Sequence, residues 1–118
     1  MKAPREMTPE KIAQFKEMKR NEIERISNLL FSYGATDKYV GRLLLMTYEI
    51  RISASLFLDR GSEVRIMVSD SNHILGAAPV FVREFAFGAF SEEDAAFIFS
   101  SVYKACLKEK TIEKKGEV

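Results

Sequence analysis

The spacing of apolar positions changes along the chain, and each change marks an element. From Ile12 to Tyr33 the spacing is helical: Ile12 and Phe15 open a stripe, and Ile23, Ile26, Leu30 and Tyr33 continue one. Thr8 offers a capping hydroxyl, and Pro9 suits the first helical position because its missing N–H leaves no bond unmade. Glu10 sits near the positive end of the helix dipole, and Gly34 after Tyr33 marks the end. Lys16, Lys19, Arg20 and Glu22 interrupt the stripe. The pattern therefore predicts one long helix, buried in its second half and half-solvated in its first. Such a first half either meets a partner or a second copy, or simply lies along the domain.

Thr36 can cap a short second helix over Lys38–Met46, with Tyr39, Val40, Leu43, Leu44 and Met46 as its apolar residues and Gly41 as its weak point. From Tyr48 the period becomes two. Tyr48, Ile50, Ile52, Ala54 and Leu56 alternate with Glu49, Arg51, Ser53 and Ser55, which predicts a strand. Asp59-Arg60-Gly61-Ser62 is a turn, and Val64, Ile66 and Val68 form the returning strand of a hairpin. A loop from Ser69 to Pro79 leads to a third strand, where Val80, Val82 and Ala86 alternate with Phe81, Arg83 and Phe85. Ser91-Glu92-Glu93-Asp94 then opens a helix carrying Ala95, Phe97, Ile98, Val102, Tyr103, Ala105 and Cys106. Lys104, Lys108 and Lys110 suit its negative end. The expected fold is α+β: a three-stranded antiparallel β-meander with a long N-terminal helix, a short second helix and a C-terminal helix. It spans residues 1–118 as a single domain, with 1–7 and 111–118 frayed.

Composition narrows the function classes. The chain has 118 residues, 47% hydrophobic and 30% charged, with a formal net charge of +1. That is the balance of a globular domain, and it argues against a polybasic binder held mainly by phosphate contacts. One cysteine, Cys106, allows no internal disulfide and no multi-thiolate metal site. No apolar run approaches the roughly 20 residues of a membrane span, and no secretory signal opens the chain, so a cytoplasmic, soluble protein with no membrane contact is expected. His73 is the only histidine and lies in a polar loop, where a Ser71–His73–Asp70 set would seldom reach triad geometry. No phosphate-binding glycine loop is present. The expectation is a protein that is not an enzyme and carries no metal or cofactor.

One constellation stands out. With Val80, Val82 and Ala86 turned to the core, the opposite sheet face carries Arg51, Ser53, Ser55 and Phe57, then Arg65, Met67 and Ser69, then Phe81, Arg83, Phe85 and Phe87. A guanidinium supplies bidentate donors for phosphate or carboxylate, phenylalanine offers a stacking surface, and hydroxyls suit polar edges. Arg51, Arg65, Phe81, Arg83 and Phe85 are therefore the candidate site for an anionic nucleotide-like ligand, a nucleotide signal or single-stranded RNA. The expected protein is a non-catalytic, homo-oligomeric binding module. Its rival is a small adaptor or inhibitor that blocks another protein through the same apolar patch or the N-terminal helix. If a helix or a second subunit covers the face, the phenylalanines are core instead.

The same strand reads R-E-F-A-F-G-A-F over Arg83–Phe90, which resembles the RNP1 motif of RNA-recognition domains, where a basic residue precedes aromatics that stack on bases. Lys38-Tyr39-Val40-Gly41-Arg42-Leu43 is similar to their other strand motif. Extended over residues 38 to 113, the resemblance implies a helix over Tyr48–Leu58 and a last strand at Thr111-Ile112. Glu84, Gly88 and Arg42 depart from the motifs, and the implied helix conflicts with the period-two pattern. The likeness is read as a local match.

Overall fold

The capping signals around the first helix act as their chemistry demands. In the computed structural model, which describes residues 8–57, 61–70 and 79–116 and the side chains of the last helix as far as Lys108, helix α1 spans Pro9–Phe31. The Thr8 hydroxyl accepts the Lys11 N–H at 3.1 Å. At the other end Gly34, at φ +100°, lets its own N–H reach the Phe31 carbonyl (2.9 Å) and the Ala35 N–H reach that of Leu30 (3.3 Å), the Schellman pattern. Strands β1 (Thr36–Tyr39), β2 (Arg42–Leu45), β3 (Tyr48–Phe57), β4 (Gly61–Asp70) and β5 (Phe81–Ala86) follow, and α2 spans Glu92–Gly116. The strands pair antiparallel in chain order, a five-stranded meander.

The class is α+β as expected, but the inventory differs. The short helix over 38–46 is a hairpin, β1–β2, so the sheet has five strands and not three. Leu43 and Leu45 are buried while Arg42 and Leu44 are half-buried, which is a period of two. Three consecutive leucines erase the polar contrast that would show it in sequence. The turn between β1 and β2 rests on Gly41, at φ +79°. Its carbonyl accepts the Ile52 N–H at 2.8 Å, and a Cβ there would lie 2.8 Å from the Ile52 carbonyl oxygen. A further difference lies at the C-terminus, where α2 runs through residues 111–116 to Gly116 and does not end at the lysine cluster. Residues 1–7 lie outside the described ones. Tyr48–Phe57 is a strand and Thr111-Ile112 lies in α2, so the chain lacks the element order that the RNA-recognition resemblance implies.

Both helices cover one face of the sheet. Ile23, Ile26 and Leu30 of α1 and Ala95, Ile98 and Val102 of α2 are buried against Leu43, Ile50, Ile52, Val64, Ile66, Val68 and Phe81. The helices run the same way, since Arg25 reaches Phe90 just before α2 and Tyr33 packs on Phe99 one turn and more into it. Residues 8–21 of α1 are exposed except for half-buried Phe15 and Lys19, so this half extends beyond the sheet. The molecule measures 69 × 29 × 23 Å with a radius of gyration of 17.2 Å. A compact chain of this length would have about 13.5 Å. No helix among the described residues is long and apolar enough to cross a membrane.

Gly41 and Gly34 separate two costs. Both have positive φ, but a Cβ at Gly34 meets nothing within 4 Å. Gly34→Ala is expected to cost about 1–2 kcal/mol, the left-handed penalty alone. Gly41→Ala is expected to cost clearly more, because the hairpin must also move away from β3. Urea unfolding of the two variants checks this, and equal losses would contradict it.

Candidate functional site

The pairing register decides which side chains of the sheet meet. Across β4 and β5, Val64 faces Phe85, Ile66 faces Arg83 and Val68 faces Phe81, while Arg65 faces Glu84. Across β3 and β4, Ser53 faces Arg65 and Arg51 faces Met67. Paired residues share a sheet face. Phe81, Arg83 and Phe85 therefore stand on the helix face, and Arg51 and Arg65 on the open one. The expected five-residue constellation is divided between two faces. The cause lies in β5, which is apolar on both sides. Its larger set goes inward: Phe81 is buried, and Phe85 meets Phe90 edge-on at 5.2 Å, while Val82 is left 40% exposed.

On the open face the arginines have carboxylate neighbours. Arg42 donates to Glu49 Oε2 from Nε (3.0 Å) and Nη2 (2.6 Å), and Arg51 Nε donates to Oε1 at 3.0 Å. Burial by itself would raise the Glu49 pKa, but the hydrogen bonds from Arg42 and then Arg51 outweigh it and hold the group below its ordinary value. Arg51 is thus committed to Glu49. Arg65 borders a shallow cavity of about 160 Å³ that Ser53, Ser55 and Phe57 share with Glu63 and Glu84. Two carboxylates beside one guanidinium make a poor seat for an anion.

Arg83 has different company. Its guanidinium carbon lies 5.4 Å from the ring centroid of Phe81 and 5.4 Å from that of Phe97, and the two rings stand 5.6 Å apart at 57°. Phe97 belongs to α2 and is 50% exposed. Among the described residues Arg83 has no ion pair or hydrogen bond. A cation held against two rings is oriented by their quadrupoles while its N–H donors stay available. By its spacing Phe97 belongs to the apolar stripe of its helix. Its pairing with β5 follows only once Phe81 is known to point toward α2.

A clamp from α1 fixes where α2 begins. Glu22, 8% exposed, accepts the Gly88 N–H (2.7 Å) and Arg25 Nη2 (2.8 Å) on Oε2, and Arg25 Nε (3.1 Å) on Oε1. Arg25 Nη1 donates to the Phe90 carbonyl at 2.8 Å. Gly88, at φ +86°, turns the chain between β5 and α2. Ser91 and Asp94 then cap α2 reciprocally, the Ser91 N–H meeting Asp94 Oδ2 at 2.8 Å. One and a half turns later Phe97 arrives opposite Phe81. Burial would raise the Glu22 pKa, yet the bonds from Arg25 and from the Gly88 N–H prevail and lower it. The bond to Glu22 in turn raises the pKa of Arg25.

His73 and Ser71 lie outside the described residues. Cys106 is half-buried, with Sγ 3.6 Å from Met46 Sδ in the β2–β3 turn. Among the described residues no group of three or more His, Cys, Asp or Glu side chains is placed to hold a metal. A cleft of about 360 Å³ runs between α1 and the β1–β2 turn, bordered by Arg20, Asn28, Asp37 and Val40. No protein-family model, curated protein or solved structure matches the chain.

The clamp has a pH signature. A carboxylate whose folded pKa is lowered contributes stability that is complete above its ordinary value near 4.5 and is lost as pH falls through the folded value. Glu22→Gln is expected to cost about 1.5–3 kcal/mol at pH 7, the worth of a hydrogen bond to a charged group. The gap between the two proteins should narrow below pH 4.5. Denaturant titrations at pH 7 and pH 3.5 measure it, and a gap independent of pH would contradict the clamp.

Proposed function

We propose that the protein is a non-catalytic binding module that holds an anionic, ring-bearing ligand of the nucleotide kind where β5 meets α2. The observation that carries this reading is Arg83, stacked on Phe81 and Phe97 and without a protein acceptor among the described residues. Arg83 takes the anionic group, and the exposed face of Phe97 takes the ring. Phe81 supports the guanidinium from below, and Phe85 anchors the strand. Arg51 and Arg65 have no part in this site. The carboxylates with shifted pKa, Glu22 and Glu49, are both occupied by arginines, which supports binding over acid–base chemistry.

A second reading, contact with another protein or with a second copy, is favoured by the extended half of α1, where Ile12 and Met18 are 40% and 49% exposed. It is compatible with the first. Self-association would then rest on α1 and not on the sheet phenylalanines. Light scattering at micromolar protein should report at least a dimer that Ile12→Lys with Met18→Lys dissociates. A monomer of 13.5 kDa would contradict this second reading alone.

The ligand site is tested by thermal shift with ATP, GMP, pyrophosphate and adenosine. A ligand that binds only the folded chain raises Tm by mass action. The two nucleotides should give the largest shift and adenosine none. Arg83→Ala should lose the shift, a weakening of about 10- to 150-fold, while unfolding within about 1 kcal/mol of the parent. Equal shifts in parent and Arg83→Ala, or no shift with either nucleotide, would contradict the proposal.

A further inference from the structure

An anion at Arg83 could belong to a mononucleotide or to a longer chain. We infer that the ligand is a single-stranded nucleic acid laid along α2, an inference that rests on that reading of Arg83. Phe97 is followed on the same flank of the helix by Ser101, Lys104 and Lys108, at steps of four, three and four residues. Both lysines are exposed. Lysines near the end of a helix are ordinarily explained by its dipole, which acts within the last turn. Here α2 continues to Gly116, about two turns beyond Lys108, so the dipole does not account for them.

From Phe97 to Lys108 the helix carries no acidic residue. Asp94, one turn before Phe97, is occupied by the Ser91 hydroxyl and N–H. Glu93, four residues before Phe97, shares this flank but precedes the path from Phe97 to Lys108, and Glu92 borders the cleft beside Tyr33. The flank presents a half-exposed ring, a half-buried hydroxyl and two ammonium groups in a row, with the Arg83 guanidinium beside the ring. From Phe97 to Lys108 the rise is about 16 Å. Stacked nucleotides repeat at about 3.4 Å per strand, so about five such steps span that length.

The shape of the surface favours a polymer over a mononucleotide. Small ligands take concave sites that enclose most of their surface. Arg83 is exposed and Phe97 half-exposed on an open margin, so a mononucleotide gains one anion contact and one stacking face. A strand adds Lys104 and Lys108. The path runs along one helix flank, and its ring needs an unpaired base to stack on, which excludes a duplex.

The experiment is fluorescence anisotropy of the full chain with a labelled single-stranded 12-mer of uridine, with UMP as competitor and a 12-bp duplex for comparison, at 50 and 200 mM salt. The 12-mer should bind at least tenfold tighter than UMP and than the duplex. The double variant Lys104→Gln, Lys108→Gln should weaken the 12-mer by about tenfold and reduce the salt slope by about 1.4, with UMP unaffected. Phe97→Ala and Arg83→Ala should weaken both ligands. A 12-mer that binds no tighter than UMP, a duplex that binds equally well, or a double lysine variant indistinguishable from the parent would overturn the inference and leave the Arg83 site standing. Absence of binding by both UMP and the 12-mer would overturn the two together.

Discussion

Two helices cover a five-stranded sheet on one face only, and that inequality sets the place of every side chain discussed above. Each strand must send its bulkier apolar set toward the helices, because only there is water excluded. For β3 and β4 the choice is easy, with isoleucine and valine on one side and charge or hydroxyl on the other. For β5 it is a contest between two apolar sets. Phe81 and Phe85 offer more area than Val82 and Ala86, and they win. Alternation then carries Arg83 inward with them, since residues two apart share a face. A guanidinium cannot be buried there unpaired at acceptable cost. It escapes by its place at the sheet margin, where it stays exposed and rests on Phe81 and Phe97.

The position of Phe97 is a consequence of packing further away. Glu22 and Arg25 of α1 bind the backbone of Gly88 and Phe90, so α1 is tied to the chain between the end of β5 and the start of α2. The Ser91–Asp94 cap adds a defined first turn to α2. A buried acid is tolerable in this position because it receives three hydrogen bonds, two of them from a paired arginine. The same logic governs the open face, where Glu49 holds Arg42 and Arg51 together. One acid builds a scaffold for the proposed site, and the other engages two arginines of the open face.

Much of this was legible from residue spacing. The alternation from Tyr48 to Leu56, its return in Val64, Ile66 and Val68, the Thr8 cap and the Ser91–Asp94 cap all follow from local chemistry, and local chemistry is what a sequence displays. The β1–β2 hairpin was not legible. Leu43-Leu44-Leu45 shows no alternation, and the need for glycine at 41 arises from Ile52 in another strand. The phase of β5 was hidden for a related reason, because either face of Val80–Phe87 could pass for the core. That one phase error joined Arg51 and Arg65 to residues on the opposite face. A signal against Arg51 was present: Glu49 stands two residues away, on the same face of the same strand. Phe97 had no such signal, as its partner Phe81 is distant in sequence.

The proposed site occupies the helix-side face of β5 and the adjoining flank of α2, and an amide NMR titration reads that placement directly. With the 15N-labelled full chain and the single-stranded uridine 12-mer, perturbations are expected to concentrate at Phe81–Arg83 and along Phe97–Lys108. Ser53, Ser55 and Arg65 on the open face should be unmoved. Perturbations centred on Arg51 and Arg65, with β5 and α2 silent, would contradict it.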